Sequence, residues 1–532
     1  MNFSNYNPYR EFRTGQEVAI KQLLDSWTSG NKVLELNAPT ASGKTVILYV
    51  LGRILEKEYG LDKVVFTSPQ VALIESGNLF DLPKLVGKRN YRCLGLEGCT
   101  AEECPFTSKE EGFAKCEGCY YREARKYFQA SKFGATTFSR YLTDPSIHSK
   151  TEALVIDESS ELEGLLLDKS NIELDLKIKD ITKKVKVSDQ ANDVRQFLKT
   201  FDVSSHLTEQ KKSLQKLVTQ LSKQCQDYRK AIFVSKPTSR EIKKLKAIQA
   251  DYNRYHRQEV ACTSALRYID LKVPYVLATD IQEVWNPLTR RKEYKPVPTF
   301  KLLDAHLPFS ELISDLQCVV LASGTPVTDM ITSKFSSIRI GHPISKDRRL
   351  IHYDPVGLMS YSERERTAVK MAARIKQLHD TYSAHTIVHC GSYYVAEIIS
   401  EHLYRLHNNV ILQRSGEREY SLNQWIRTPD SIFLSVRFEE GISLDGPEFP
   451  MNIIAKVPYP NLTDEWVTAR NNLDSWTWYN KTSAMLVQQA CGRTTRGPDD
   501  FSETWILDSS FSNLYNRSRR YFLPWFQEAL VS

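Results

Sequence analysis

Short apolar runs alternate with an amphipathic stretch in the first part of the chain. Residues 31–37, 63–68 and 151–157 are apolar segments of strand length, and the third ends in an acidic pair. Residues 45–58 carry apolar side chains at helical spacing. Strand, loop, helix and strand in this order predict a parallel α/β domain.

The pattern changes between about residue 169 and residue 300, where Lys, Gln and Leu dominate. No Gly occurs from 165 to 323, and long polar stretches with spaced leucines are typical of helices. We therefore expect a mainly helical insert there, with a β hairpin near residues 273–300.

A second α/β pattern begins near residue 340. Four further apolar runs of strand length follow it, at residues 384–390, 431–436, 452–457 and 504–507. Helical stretches separate them, so a second parallel α/β domain is predicted.

Composition bounds the class of protein. A chain of 532 residues is too long for one hydrophobic core, so several domains are expected. No apolar run reaches the roughly 20 residues that span a bilayer, and the polar N-terminus predicts neither export nor a membrane partner. The net charge of +7 is compatible with a polyanionic partner, although many soluble enzymes are as basic.

Residues 38–45 (APTASGKT) resemble a phosphate-binding loop between a strand and a helix. Backbone N–H groups at a helix N-terminus bind phosphate oxygens. Lys44 is expected to reach the β- and γ-phosphates and Thr45 to bind Mg²⁺. The predicted ATP contacts of this loop are Thr40, Ala41, Ser42, Gly43, Lys44 and Thr45. The competing interpretation is a chance GKT tripeptide after a strand.

Asp157 and Glu158 end an apolar strand, where parallel sheets present ligands. We expect Asp157 to hold Mg²⁺ together with Thr45, and Glu158 to orient or deprotonate the attacking water. The alternative is an acidic pair that only caps the following helix.

Three polar residues near the C-terminus complete the predicted catalytic set. Arg493 and Arg496 are three positions apart and Gln489 is four before Arg493, so one helix would place them on one face. Such cations stabilise charge on a γ-phosphate; the alternative is two solvated arginines. Near the N-terminus, Arg13 and Gln16 are candidates for hydrogen bonds to adenine.

Five of the ten cysteines lie between residues 93 and 119. In a chain without an export signal this density indicates a metal site rather than disulfides. Four thiolates hold either a four-iron four-sulfur cluster or a structural zinc ion, and spacing alone does not choose between them.

These motifs together resemble the iron–sulfur superfamily 2 DNA helicases of the XPD/DinG type. The similar segments are residues 39–45 (PTASGKT), 155–160 (VIDESS), 321–326 (LASGTP), 438–444 (FEEGISL) and 488–500 (QQACGRTTRGPDD). Residues 87–93 (GKRNYRC) resemble the family's lead-in to its first cluster cysteine, and Cys119 with the two following tyrosines resembles its last. The resemblance covers about residues 10–510.

The resemblance implies an α/β fold of two RecA-like helicase domains, with a cysteine-cluster insert and a mainly helical arch insert in the first. The predicted segments are 1–90, 123–168 and 301–338 for the first helicase domain, 91–122 for the cysteine insert, 169–300 for the arch and 339–532 for the second helicase domain.

It also implies an ATP- and Mg²⁺-dependent helicase that moves 5′ to 3′ on single-stranded DNA and unwinds a forked duplex, in DNA repair or replication. The implied iron–sulfur ligands are Cys93, Cys104, Cys116 and Cys119, with Cys99 as the spare and zinc as the alternative metal. Gly441 is an implied nucleotide contact. The candidate nucleic-acid contacts are Ser68, Gln70, Ser392, Tyr393 and Arg437.

The chain departs from the family pattern at Ser159 and Ser160, which replace Ala and His of the DEAH motif. The family's His couples ATP hydrolysis to nucleic-acid contact, so the second hypothesis is a nucleic-acid-stimulated ATPase that remodels complexes without processive unwinding. RNA stays an alternative substrate, because backbone tracking ignores the sugar unless the 2′-OH is read. The compact, divergent form suggests a phage or mobile-element protein. We expect a monomer in the cytoplasm of a bacterial or phage-infected cell.

Overall fold

The fold is that of a computed structural model. It describes residues 2–69, 71–75, 79, 81–94, 97–104, 118–184, 186–234, 238–286, 291–436, 444, 446, 448–495, 497 and 500–531. Across these ranges, no helix is long and apolar enough to cross a membrane.

A parallel sheet forms the centre of the first part of the chain, in the order β10-β1-β9-β5-β2-β4-β3. Its strands are β1 Val33–Asn37, β2 Val64–Ser68, β3 Lys84–Leu85, β4 Phe133–Thr137, β5 Ala153–Asp157, β9 Cys318–Ser323 and β10 Ser336–Arg339. The strands β1, β2, β4, β5 and β9 are buried at every position, as expected of a parallel sheet with helices on both faces.

Helices cover both faces of this sheet. They are α1 Gln16–Thr28, α2 Lys44–Lys57, α3 Val71–Glu75, α4 Tyr120–Ala130, α5 Phe138–Thr143, α6 Pro145–His148, α7 Leu162–Asp168 and α12 His306–Leu312. Gly52 of α2 faces the ring of Phe133 so closely that a Cβ on Gly52 would lie 2.3 Å from Cζ of the ring. Glycine is therefore needed for α2 to approach the sheet.

The segment between the first sheet strands β5 and β9 is the predicted mainly helical insert. Its helices are α8 Ile178–Ile181, α9 Val187–Leu198, α10 Val203–Val234 and α11 Ser239–Asp270. The two long helices pack on each other, and α11 begins with a capping box in which Thr238 and Glu241 satisfy each other's backbone N–H groups.

The β hairpin expected near residues 273–300 is present. β7 Tyr275–Asn286 pairs antiparallel with β8 Arg291–Leu302, and β6 Ile172–Glu173 adds to β8.

A second parallel sheet has the order β13-β14-β12-β15-β16-β11-β17. Its strands are β11 Ile351–Gly357, β12 Thr386–His389, β13 Val410–Leu412, β14 Ile432–Ser435, β15 Met451–Ile454, β16 Glu503–Asp508 and β17 Leu530–Val531. The helices around it are α13 Arg364–His379, α14 Tyr393–Leu403, α15 Arg418–Arg427, α16 Glu465–Asp474, α17 Thr477–Cys491, α18 Ser510–Ser518 and α19 Pro524–Ala529.

The apolar runs in the sequence predicted the central strands, whereas polar or short strands were not predicted. The seven predicted runs coincide with β1, β2, β5, β12, β14, β15 and β16. β4, β10, β11 and β13 were not predicted as strands, because β4 contains Gly and Thr, β10 is polar, β13 is short and β11 carries Asp and Pro. The change of sheet falls between β10 and β11, and the predicted domain boundaries stay predictions.

Buried polar contacts join the two sheet domains along α7, α16 and α17. Trp478 Nε1 donates to Glu163 Oε2 at 3.1 Å, and Arg470 Nη2 lies 3.6 Å from Glu163 Oε1. Burial raises the pKa of Glu163, while Arg470 opposes that shift. Lys481 also pairs with Asp329. The second domain therefore contacts the first through one buried ion pair, Arg470 with Glu163, and one partly exposed pair, Lys481 with Asp329.

We predict that Gly52→Ala destabilises the first domain. The added methyl group meets the Phe133 ring, and overpacking of this kind costs about 1–3 kcal/mol, more than the gain of up to about 1 kcal/mol in helix propensity. Urea unfolding monitored by circular dichroism measures the difference.

The matched control is Gly164→Ala in α7, where a Cβ would meet nothing within 4 Å. We expect it to be neutral or stabilising by up to about 1 kcal/mol. Equal unfolding midpoints for the two variants would contradict the packing argument.

Candidate functional site

The phosphate loop connects the carboxyl end of β1 to the N-terminus of α2. Gly43 has a φ of 71° and is the N-cap residue of α2, a left-handed conformation that favours glycine. A Cβ there would lie 2.4 Å from Gln16 Nε2. Ala41 also has a positive φ of 65°, although it is not glycine, so the loop holds a residue in a conformation that costs about 1–2 kcal/mol.

Arg13 and Gln16 reach the loop from just before α1 and from its first turn. The Gln16 Nε2 donates to Ser42 O at 2.9 Å and to Gly43 O at 3.3 Å, and its Oε1 accepts from the Arg13 backbone N–H at 2.9 Å. Arg13 Nη1 donates to Ala41 O at 2.6 Å. Gln16 is 2% exposed. The Nε2 end of its amide therefore holds the loop, and the Oε1 end holds the Arg13 backbone. The predicted adenine contact stays a prediction.

The two acidic residues of the site lie opposite the loop, at the end of β5. Thr45 Oγ1 donates to Asp157 Oδ2 at 3.0 Å, and Lys44 Nζ lies 3.3 Å from Glu158 Oε1. These four side chains bring together the residues predicted to hold Mg²⁺, phosphate and water.

The electrostatics of the pair agree with a cation site. Burial raises the pKa of Asp157 and the Glu158 carboxylate raises it further, while Lys44 lowers it. A divalent cation bound here would favour the ionised carboxylate.

Glu158 adopts a left-handed backbone conformation with a φ of 55°. It precedes a short 3-10 turn, yet its side chain makes no capping hydrogen bond to that turn. Because this conformation costs free energy in a residue other than glycine, its presence at the end of β5 indicates a functional constraint. The alternative in which the acidic pair only caps a helix finds no support in this geometry.

The second domain contacts the phosphate loop through α17 and the residue after it. Gln489 Nε2 donates to Thr325 Oγ1 at 3.0 Å, in the segment after β9. A Cβ on Gly492 would lie 3.3 Å from Thr40 Oγ1, and one on Gly324 would lie 3.5 Å from Ala38 O. Close backbone approach thus assembles the site from both domains.

The prediction that one face of a helix carries Gln489, Arg493 and Arg496 is wrong for Arg493. Helix α17 ends at Cys491 and Gly492 is its C-cap. Arg493 follows the helix end and is 8% exposed, and its charge adds to the burial that lowers the pKa of His389 to about 3. Arg496 and Gly441 lie outside the described residues.

The described cysteines of the insert fall into two buried groups. Cys93, Cys99 and Cys104 pack with Cys225 of α10 and Leu245 of α11, while Cys119 packs in the core of the first domain. Cys116 lies outside the described residues. Within the described ranges, no three cysteine sulfurs come within 4.8 Å of one another. The place of Cys225 beside the insert was not predicted from the sequence.

The predicted nucleic-acid contacts lie after β2 and β12. Ser68 is fully buried, so its side chain faces the interior in this conformation. Ser392 Oγ accepts from Val395 N at 3.3 Å and caps α14, and Tyr393 packs partly buried against the core of the second domain. Gln70 and Arg437 lie outside the described residues.

A cluster of rings and a guanidinium near Ser392 was not found from the sequence. The Arg364 Cζ lies 4.5 Å from the Tyr361 ring centroid and 4.0 Å from that of Tyr394. Tyr361 is 85% exposed. The only signal for this cluster was that each tyrosine follows a strand, β11 or β12, two strands that are consecutive in the chain but not neighbours in the sheet.

Comparisons with known proteins agree with this geometry. A model of the helicase C-terminal domain family matches residues 375–529, and one of the type III restriction enzyme, res subunit, matches residues 10–162. No curated protein sequence matches the chain.

Two solved structures resemble the whole chain. Xpd4 from S. tokodaii is 15% identical with a TM-score of 0.55, and the match covers 98% of this chain and 100% of that one. An apo form of XPD is 14% identical with a TM-score of 0.55, covering 95% of this chain and 98% of that one. The structural matches confirm the predicted fold class of two RecA-like domains with a helical insert, and in fold the chain resembles these XPD structures.

We predict that Gln16→Ala weakens nucleotide binding about tenfold, or by about 1.4 kcal/mol. The loss of Nε2 leaves the buried carbonyl of Ser42 without this donor, while the Gly43 carbonyl still accepts from Val46 N. The loop is then held less firmly. Titration with fluorescent ATP and GTP analogues measures the effect. If Gln16 holds the loop, its replacement weakens the binding of both nucleotides by the same factor. If Gln16 contacts adenine, its replacement weakens the binding of ATP alone.

The matched control is Glu17→Ala, because Glu17 is the exposed neighbour of Gln16 on α1. It should bind both nucleotides like the wild type. Unchanged binding of both nucleotides by Gln16→Ala would refute the loop-holding role.

Proposed function

We propose that this chain, an ATP-hydrolysing superfamily 2 helicase of the XPD/DinG type, translocates 5′ to 3′ on single-stranded DNA and unwinds a forked duplex. The observation that carries the proposal is the site shared by both domains, where Gly492 lies against Thr40 of the phosphate loop. A site divided in this way changes whenever the two domains move relative to each other.

The residues of the shared site divide the work of hydrolysis. In the proposal, Lys44 and the loop N–H groups bind the phosphates, and Thr45 with Asp157 holds Mg²⁺, which supplies charge stabilisation at the phosphates. Glu158 orients the attacking water and accepts its proton. Arg493 and Arg496 of the second domain stabilise the charge on the γ-phosphate.

Coupling to movement is proposed to act through Gln489 and the polar contacts between the domains. The bond from Gln489 to Thr325 links α17 to the segment after β9, and the Lys481–Asp329 pair lies two turns earlier on the same helix. A change at the γ-phosphate would therefore act on α17 as a unit and shift the second domain.

Charge and exposed rings support a path for a single strand. Lys88 is largely buried, and its pKa is lowered by burial and by the nearby cations Arg140, Arg229 and Arg125. Such a concentration of positive charge favours a polyanion. In the second domain the exposed Tyr361 ring offers a surface on which a base can stack.

The metal of the insert is proposed to be a four-iron four-sulfur cluster held by Cys93, Cys104, Cys116 and Cys119. Thiolates are its usual ligands, and the described ones are buried. The resemblance to the XPD/DinG-type helicases is what favours the iron–sulfur cluster over zinc. Zinc is the alternative outcome of the test below.

The second candidate is an ATPase that remodels protein–nucleic-acid complexes without processive unwinding. Ser160 at the position of the motif's His is the observation that favours it, because a hydroxyl replaces the group that couples the two activities in the family. A monomer in the cytoplasm of a bacterial or phage-infected cell, acting in DNA repair or replication, completes the proposal.

We predict that the anaerobically purified protein with Mg²⁺-ATP displaces the strand of a duplex with a 5′ single-stranded tail and leaves a 3′-tailed duplex intact. Lys44→Ala should abolish displacement, because it removes the cation from the phosphates. Gel-based strand displacement measures both.

Lys21→Ala is the matched control, since Lys21 is exposed on α1, and it should unwind like the wild type. If single strands stimulate ATP hydrolysis but neither duplex is displaced, the helicase proposal is wrong and the remodelling ATPase is favoured. An RNA-tailed duplex in the same assay tests RNA as the track.

We predict that Cys104→Ala loses iron and visible absorbance and fails to unwind, while its affinity for ATP stays near that of the wild type. The insert has little apolar core of its own, so metal binding contributes to its folding. Iron and zinc content, absorbance and nucleotide titration give the result.

Cys262→Ala is the control, because Cys262 is buried in α11 and is no predicted ligand; it should retain the metal. Zinc instead of iron in the wild type would select the alternative metal. Full iron content in Cys104→Ala would remove Cys104 from the ligand set.

A further inference from the structure

Two histidines and one aspartate meet at the amino edge of the second sheet. His379 is the last residue of α13, His407 follows α14, and Asp430 lies two residues before β14. One ring nitrogen of each histidine and a carboxylate oxygen of Asp430 all lie within 4.8 Å of one another. This edge is opposite to the one that carries Ser392, so the cluster is separate from the nucleotide and nucleic-acid sites.

The distances within the cluster suit a small metal ion. His379 Nε2 lies 3.1 Å from Asp430 Oδ1, close to the roughly 3.3 Å that separates two ligands of a tetrahedral zinc ion. The ring centroids of His379 and His407 are 4.6 Å apart, with an interplanar angle of 66°. Two edge-on rings beside a carboxylate present nitrogen and oxygen donors to one point.

Surrounding groups fix the orientation of the ligands. His379 Nδ1 lies 2.8 Å from Thr386 Oγ1, which directs the other nitrogen, Nε2, toward Asp430. His407 Nε2 lies 2.9 Å from the Asp430 carbonyl, and Asn409 Nδ2 donates to the same carbonyl at 3.3 Å. Metal-binding histidines are commonly fixed through their second nitrogen in this way.

A second observation indicates a missing ligand at His379. Its side chain is 1% exposed, and Nε2 has no hydrogen bond of acceptable geometry within the described ranges, although Asp430 is close. Buried polar nitrogens are nearly always satisfied. A metal ion would complete the coordination of this nitrogen.

We propose that His379, His407 and Asp430 bind a divalent ion of the zinc class, with water in the remaining position. Two imidazoles and a carboxylate are borderline donors that suit Zn²⁺ better than Mg²⁺ or Ca²⁺. The ion would clasp the end of α13, the segment after α14 and the turn before β14. Its effect would be stabilisation of the second domain without a part in ATP hydrolysis.

The test is calorimetric titration of the full chain with Zn²⁺, the cysteine insert carrying its metal as purified. We expect the wild type to bind one equivalent that His407→Ala and Asp430→Asn lose or bind at least tenfold more weakly. Asparagine suits the positive φ of 49° at Asp430, so this variant removes the charge with little strain. Zn²⁺ should also raise the wild-type unfolding temperature and not that of the two variants.

Asp380→Asn is the matched control, because Asp380 adjoins His379 in sequence, pairs with Lys376 and is 56% exposed. It removes the same charge from the same corner without removing a ligand, and it should bind Zn²⁺ like the wild type. Equal stoichiometry and affinity in all four proteins would overturn the proposal. If Asp430→Asn fails to fold, as judged by circular dichroism, His407→Ala decides alone.

Discussion

The contact between the second domain and the phosphate loop is the constraint on which this molecule depends. Gly492 lies so close to Thr40 that a Cβ there would come within 3.3 Å of the Thr40 side chain, whereas a Cβ on Gly324 would make an ordinary contact of 3.5 Å with Ala38 O. A side chain larger than a methyl group at Gly492 would require Thr40, or α17 with its Gln489, to shift. The loop is therefore held on one side by Gln16 of the first domain and contacted on the other by Gly492 of the second domain.

Buried charge makes this contact sensitive to small changes. Asp157 is buried beside Glu158, and Glu163 is buried beside Arg470, and charges removed from water are costly unless they are paired. Each carboxylate has its cation nearby: Lys44 in the site and Arg470 at the domain contact. The two carboxylates, Asp157 and Glu163, lie at the two ends of the segment from β5 to α7. A change of charge at one of them therefore acts on the same segment that carries the other.

The parts of the site that obey local rules were predictable from the sequence. The loop, Asp157 and Glu158 follow apolar strands, and the order of strands in a parallel sheet then brings them together. The end of α17 was not predictable from spacing, because Gly492 stops the helix one residue before Arg493. Gln16 was found by position and not by its contacts, since its two carbonyl partners lie 26 and 27 residues away. Tyr361 with Tyr394, and His379 with Asp430, are pairs that only the folded chain brings together.

The insert and the arch share a boundary, which no local pattern revealed. Lys246 Nζ donates to Gly98 O at 2.7 Å, Arg229 Nη2 donates to Glu102 O at 2.8 Å, and Asn253 Nδ2 donates to Glu102 Oε1 at 2.6 Å. The cysteine-bearing segment thus packs against α10 and α11, because its own short sequence supplies little apolar core. Since a metal in the insert would fix this segment, it would also fix where the two long helices stand above the first sheet. Loss of the metal would then affect the contact between insert and arch before it affects the nucleotide loop, which belongs to a separate core.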